Sequence, residues 1–200
     1  MNISFDEFMF IHNGYKEAIE ESLWFELSEL YHSGNLEELQ KIRSVLTNND
    51  EKKDLVDLYI MRLTGVVSRP IENMTIFHRI MEIEYWTSKE VKLFTSIMDL
   101  LPIDSLIFLV DNILKKRTLY EKSKGYNSPY HKILINAILL CIDASQLSKA
   151  KKYFTVYQNS LETRDFYGHA MAIYLEGLLL VMVGDSLAGK QKNRSIFFYL

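Results

Sequence analysis

The side chains best placed for chemistry are polar residues set inside apolar helical runs. Asn136 stands alone between Ile133 and Ile142. A buried amide without partners costs about 1–3 kcal/mol, so Asn136 calls for a hydrogen-bonding partner. Its carbonyl and NH2 match the donor and acceptor of a peptide bond; the other reading is a bond to a neighbouring helix or to its own backbone. Lys132 and Ile133 lie one turn before Asn136 and Leu140 one turn after, so one helix face can line a groove. Glu176 intrudes in the same way into Met171 to Val183, with Tyr174 nearby. Gly177 reads as a point of close helix packing. Arg79 sits within Ile76-Phe77-His78-Arg79-Ile80-Met81. Its forked donors suit a carboxylate, either of a ligand or of Glu82 or Glu84 in a surface ion pair. Trp86, just before a helix start, reads as a packing anchor ahead of a ligand platform.

This is chemistry of binding; catalytic patterns are missing. The histidines at 12, 32, 78, 131 and 169 are scattered, and neither a His-Glu-x-x-His nor a Cys-x-x-Cys spacing occurs. There is no Gly-rich phosphate loop, nucleophile elbow or dinucleotide fingerprint. Glu82 and Glu84, two apart, diverge on a helix instead of pairing. The expectation is no enzyme, no metal and no cofactor. The single cysteine, Cys141, lies in Leu139-Leu140-Cys141-Ile142, where burial raises a thiol's pKa and makes it inert. One cysteine also rules out an intrachain disulfide and fits a reducing cytoplasm.

Two hundred residues, 48% hydrophobic, with three prolines and eight glycines, describe one ordered helical domain. The N-terminus has no basic residue before Lys16, so no secretory signal is visible. The apolar run Met171 to Val183 is short of the ~20 residues a bilayer span needs. Net charge is −3, unevenly spread. Residues 1–111 hold 20 acidic and 10 basic side chains; residues 112–200 hold 6 and 13. Phosphate would be repelled by the acidic first half, which argues against nucleic-acid contact there. In the basic half, Lys115-Lys116-Arg117, Lys149 with Lys151-Lys152, and Lys190, Lys192 and Arg194 read as solvated helix faces, with an anionic partner as the minority reading.

Helices must position these residues, because nearly every segment has helical periodicity and no alternating strand pattern occurs. Ser4 with Glu7 forms a capping box for a helix to about Asn13. A second helix spans about Tyr15 to His32 and stops at Gly34. Asn35 and Asp50 cap the next two, and Pro70 breaks the chain. A segment from Ile71 to Tyr85 follows. Thr87 and Glu90 form another capping box, for a helix ending before Pro102. Further helices start at Asp104, at Ser128-Pro129 after the polar connection Lys122 to Ser128, at Ser148, at Asp165 and at Ser186. Three places echo the tetratricopeptide pattern: Trp24, Leu27 and Tyr31 with Gly34 and Leu39; Asn136 to Cys141 with Ala150 and Phe154; and Tyr174 and Gly177 with Gly184-Asp185 and Ala188. The fold expected is all-α, an irregular tetratricopeptide-like repeat of antiparallel helix pairs forming a right-handed superhelix.

The order and spacing of Ile3-Ser4-Phe5-Asp6-Glu7-Phe8, Trp86, Glu90, Leu93, Phe94, Met98, Ile133-Leu134-Ile135-Asn136, Tyr174-Leu175-Glu176-Gly177 and Gly184-Asp185 resembles the C-terminal regulatory domain of the Rgg/GadR/MutR family of bacterial transcription regulators. The resemblance implies a single helical-repeat domain over residues 1–200, with the family's N-terminal helix-turn-helix domain absent from this chain. It implies a short signalling peptide in a concave groove, of which Asn136, Arg79, Lys132, Leu140, Tyr174 and Glu176 are the candidate contacts. It further implies a cytoplasmic homodimer of Gram-positive quorum sensing, reaching DNA only through the separate domain and without membrane contact. The alternative is a tetratricopeptide-like adaptor for protein partners with no transcriptional role. A third reading, an all-helical enzyme, would need a perturbed acid or base in a deep pocket.

Overall fold

The computed structural model describes residues 25–47, 51–67, 69–84, 86–120 and 127–195. The Ser4–Glu7 capping box, the start of the helix expected from Tyr15, Trp24, the cap at Asp50, most of the Lys122 to Ser128 connection and the apolar end Ile196 to Leu200 lie outside these. Among the described residues every regular element is helical. Residues 25–32 form α1. The others are α2 (Leu36–Val45), α3 (Glu51–Thr64), α4 (Thr75–Met81), α5 (Ser88–Ile97), α6 (Ile103–Tyr120), α7 (Asn127–Asp143), α8 (Leu147–Asn159), α9 (Phe166–Met182) and α10 (Ser186–Ser195). The chain divides into two compact units, Met1–Arg79 and Ile80–Leu200.

In the first unit, Leu27, Leu39, Leu55, Val56 and Tyr59 form a buried cluster, with Leu30, Tyr31, Ile42 and Leu63 against it. Asp54 is fully buried. One of its oxygens accepts the Ile76 N–H at 3.0 Å and the other takes the Arg69 guanidinium. The carboxylate thereby caps α4 from a neighbouring helix. This divides the segment expected over Ile71 to Tyr85: a 3-10 turn at Ile71–Asn73 follows Pro70, and α4 ends at Met81.

In the second unit α7 packs on α5, α6, α8 and α9, and α9 also packs on α8 and α10. Leu106, Val110, Ile113, Leu134, Ala137, Ile138, Cys141, Tyr153 and Leu175 fill the core. The Thr87–Glu90 capping box forms as the sequence predicts. Trp86 is buried and meets Phe94 edge to face at 5.4 Å, so it packs. Asp111 on α6 accepts from Lys149 at 2.9 Å, Lys152 at 2.7 Å and Tyr153 at 3.0 Å, all on α8. Burial raises its pKa, but these three bonds outweigh it and hold the carboxyl below its usual range.

One turn design recurs at all three tetratricopeptide echoes. Gly34, Ser145 and Gly184 are left-handed, with φ of 68°, 58° and 95°. Around each, the N–H of the following residue reaches five residues back: Asn35 to Leu30, Gln146 to Cys141 and Asp185 to Leu180. This is the Schellman arrangement, which satisfies a helix's last carbonyls and reverses the chain in two residues. Five residues after each left-handed position stand Leu39, Ala150 and Gly189, all buried. At α9–α10 the crossing is close. A Cβ on Gly189 would lie 2.5 Å from the Gly177 carbonyl, so Gly189 is the residue that permits the close approach, where the sequence points to Gly177.

Candidate functional site

The second unit contains a cavity of about 600 Å³, open to solvent. Four of its lining residues, His131, Lys132, Ile135 and Asn136, share one face of α7. Thr95 of α5 and Tyr157 of α8 flank them, and Glu162, Arg164 and Asp165 of the α8–α9 connection form the rim. The first turn of α9 adds Tyr167 and Gly168.

The rim is fixed by local bonds. Asp165 is the N-cap of α9, accepting the Gly168 N–H at 2.7 Å. Tyr157, fully buried, donates its hydroxyl to the Gly168 carbonyl at 3.1 Å. Burial, helped by the Asp165 charge, pushes that phenol up to about 12, so it stays a donor at physiological pH. His131 meets Tyr157 edge on, with Nε2 3.1 Å from Ser160 Oγ and Nδ1 3.7 Å from Asp165 Oδ2.

Those contacts run serine–histidine–acid, yet their polarity is wrong for a nucleophile. Ser160 gives its one hydroxyl proton to the Tyr157 carbonyl at 2.7 Å. The ring must then donate to Ser160 from Nε2, leaving no base to activate the hydroxyl. The 3.7 Å gap to Asp165 also exceeds hydrogen-bond length. This trio fastens α7 to the α8–α9 connection. Cys141 lies in the core, its thiol pushed up to about 11 by burial. Among the described residues no group of three His, Cys, Asp or Glu side chains could hold a metal ion.

Of the residues singled out in the sequence, the cavity gathers Asn136 and Lys132. Leu140 is half-buried on α7, one turn beyond Asn136 and outside the lining. Tyr174 is exposed on α9. Glu176, also on α9, pairs with Lys192 of α10 at 2.5 Å. Arg79 belongs to the first unit and pairs with Glu51 of α3 in place of Glu82 or Glu84, both of which follow the end of α4. Sequence reasoning did not single out His131, Tyr157, Arg164, Asp165 as a rim residue, or Tyr167. Asp165 carried a signal, as the capping residue of α9, and a helix start adjoining Asn136 is a place to look for a rim.

Residues 33–200 match the family described as HTH-type transcriptional regulator Rgg, C-terminal domain. The chain belongs to this family. Among solved structures, a cysteine-to-serine variant of the Streptococcus dysgalactiae SHP pheromone receptor Rgg2 superposes with a TM-score of 0.76 at 17% identity, over 98% of this chain and 72% of that one. A second structure of the Rgg2 receptor gives 0.72 at 15%, over 98% and 79%. A putative transcriptional regulator from Listeria monocytogenes EGD-e gives 0.70 at 16%, over 97% and 71%. Likenesses at such identity establish the shared all-α fold. This Rgg C-terminal domain is thus a regulatory domain of transcription regulators, a class distinct from enzymes. No helix among its described residues is long and apolar enough to cross a membrane.

Proposed function

We propose that this Rgg domain binds a short, mostly apolar signalling peptide in the second-unit cavity, works as a cytoplasmic homodimer, and so controls DNA-binding domains carried elsewhere in the intact protein. One observation carries the peptide reading. Asn136 lines an open cavity, and its amide makes no hydrogen bond among the described residues. Such an amide can accept and donate to a peptide backbone, while Ile135 and Tyr167 offer apolar surface for side chains. That two of the similar structures are SHP pheromone receptors agrees with this. The peptide shifts the helix packing only insofar as it binds one arrangement better than another. For the dimer, the support is the exposed apolar side chains of the last helices, Tyr174, Val181 and Met182 of α9 and Leu187 of α10.

The test is calorimetric titration of the chain with short apolar synthetic peptides encoded beside its gene. Saturable binding, one peptide per chain, is expected. Asn136→Ala should weaken it about tenfold, the loss of roughly 1.4 kcal/mol. Arg79→Ala should weaken it less, because Glu51 already engages that guanidinium. No heat from any peptide, with the chain folded and dimeric, would sink the peptide reading in favour of the adaptor.

A further inference from the structure

We infer that the cavity is a carboxylate subsite: Lys132 and Arg164 together receive an anionic group of the bound peptide, with the Asn136 amide beside them. This rests on the peptide reading and adds which part of the peptide the cavity holds.

The acidic side chains of the lining are already engaged. Asp165 takes the Gly168 N–H on one oxygen, the other lying 3.7 Å from His131 Nδ1, and Glu162 has interactions of its own. The two cations are not. Lys132 and Arg164 make no ion pair among the described residues, and both side chains are exposed. Some cations of this unit have acceptors: Lys149 and Lys152 on Asp111, Lys192 on Glu176 and Lys116 on the Glu84 carbonyl. Others, such as Lys151 and Lys190, stand on solvated faces, but Lys132 and Arg164 are the two that line the cavity. An ammonium, a guanidinium and an amide NH2 on one cavity leave a surplus of N–H donors. A ligand rich in acceptors satisfies them, and a guanidinium fork matches a carboxylate in two parallel bonds. That carboxylate is either the peptide's free C-terminus or an acidic side chain.

Both sources are separable with the intact chain and octapeptide pools built from Leu, Ile, Val and Gly in random order. All are N-acetylated: one pool has a free C-terminus, one is amidated, one is amidated with a single Asp, and one is amidated with a single Lys. Retention on the immobilised chain is read by mass spectrometry at about 50 and 500 mM salt, which spans weak and strong screening. A carboxylate-bearing pool should exceed the neutral amidated pool about tenfold or more at low salt, with the Lys pool lowest. Enrichment of the free-terminus pool identifies the C-terminus, and enrichment of the Asp pool a side chain. The double variant Lys132→Met, Arg164→Met should level the pools while apolar peptides are still retained. Equal retention of all pools by the unsubstituted chain, or a preference that survives in the double variant, overturns the subsite.

Should the folded chain retain no pool, the peptide reading falls. NMR titration with N-acetyl-leucine and with its amide then decides the subsite separately. Shifts at Lys132, Arg164 and Asn136 with the acid alone uphold it; no such shifts overturn it.

Discussion

The crossing of α9 and α10 sets up two glycine-to-alanine changes that share one helix-propensity gain and should still differ in sign. Either substitution in a helix interior gains about 1 kcal/mol of propensity. At Gly189 the new Cβ would stand 2.5 Å from the Gly177 carbonyl oxygen and 2.6 Å from Val181 Cγ2, where ordinary contact begins at 3.4 Å. One obstacle is backbone, so the helices must part by about an ångström, and overpacking of this kind costs about 1–3 kcal/mol. The net for Gly189→Ala is a loss of up to about 2 kcal/mol. At Gly177 the Cβ meets only the Asn193 side chain, 2.0 Å from Oδ1. That oxygen is buried without a hydrogen-bond partner, so swinging the amide aside forfeits nothing. Gly177→Ala should therefore keep its propensity gain, up to about 1 kcal/mol. Thermal unfolding by circular dichroism reads the contrast, since 1 kcal/mol moves Tm by about 2–4 °C at this size. Gly189→Ala should lower Tm by up to about 8 °C and Gly177→Ala should raise it by up to about 4 °C. A Gly189→Ala chain melting at or above the unsubstituted Tm, or Gly177→Ala proving the worse of the two, would refute the close-crossing argument.

Three further predictions follow from the same geometry. Asp54→Ala removes the acceptor of the Ile76 N–H and strands Arg69, costing about 2–4 kcal/mol in urea unfolding; a loss under about 1 kcal/mol would mean that α4 needs no remote cap. Ser145→Gly relieves the left-handed backbone at φ 58° and should add about 0.5–1 kcal/mol, whereas an unchanged or lower Tm would show the serine unstrained. The Asp111 carboxyl has a depressed pKa, so its contribution is present above the unfolded value near 4 and is lost as pH falls through the folded value. Asp111→Asn should accordingly be costly at pH 7 and nearly harmless at about pH 2, and an equal penalty at both would contradict the assignment.

The all-α class, the capping box at Thr87 and the cap at Asp165 were legible because each depends on neighbours within one turn. So were the three echoes of the repeat, although the α7–α8 turn uses Ser145 where the others use glycine, which hides its left-handed residue from a reading by residue type. What stayed hidden came from distant partners. The break between the 3-10 turn and α4 follows from Asp54, 22 residues before the Ile76 it caps. Arg79 finds Glu51, 28 residues away, because a helix ending at Met81 removes Glu82 and Glu84 from its face. For the site the division is the same. Asn136 and Lys132 stand out along one helix, where an amide and an ammonium interrupt an apolar run. Arg164 does not, because residues in a connection have no periodicity to violate. Its place on the cavity is set by Asp165, which starts α9, and by the Tyr157 hydroxyl, which holds that first turn against α8. The residue proposed to complete the carboxylate subsite was invisible in the sequence for the reason that makes it useful: the rim's position is fixed by bonds to its neighbours, leaving its own side chain uncommitted.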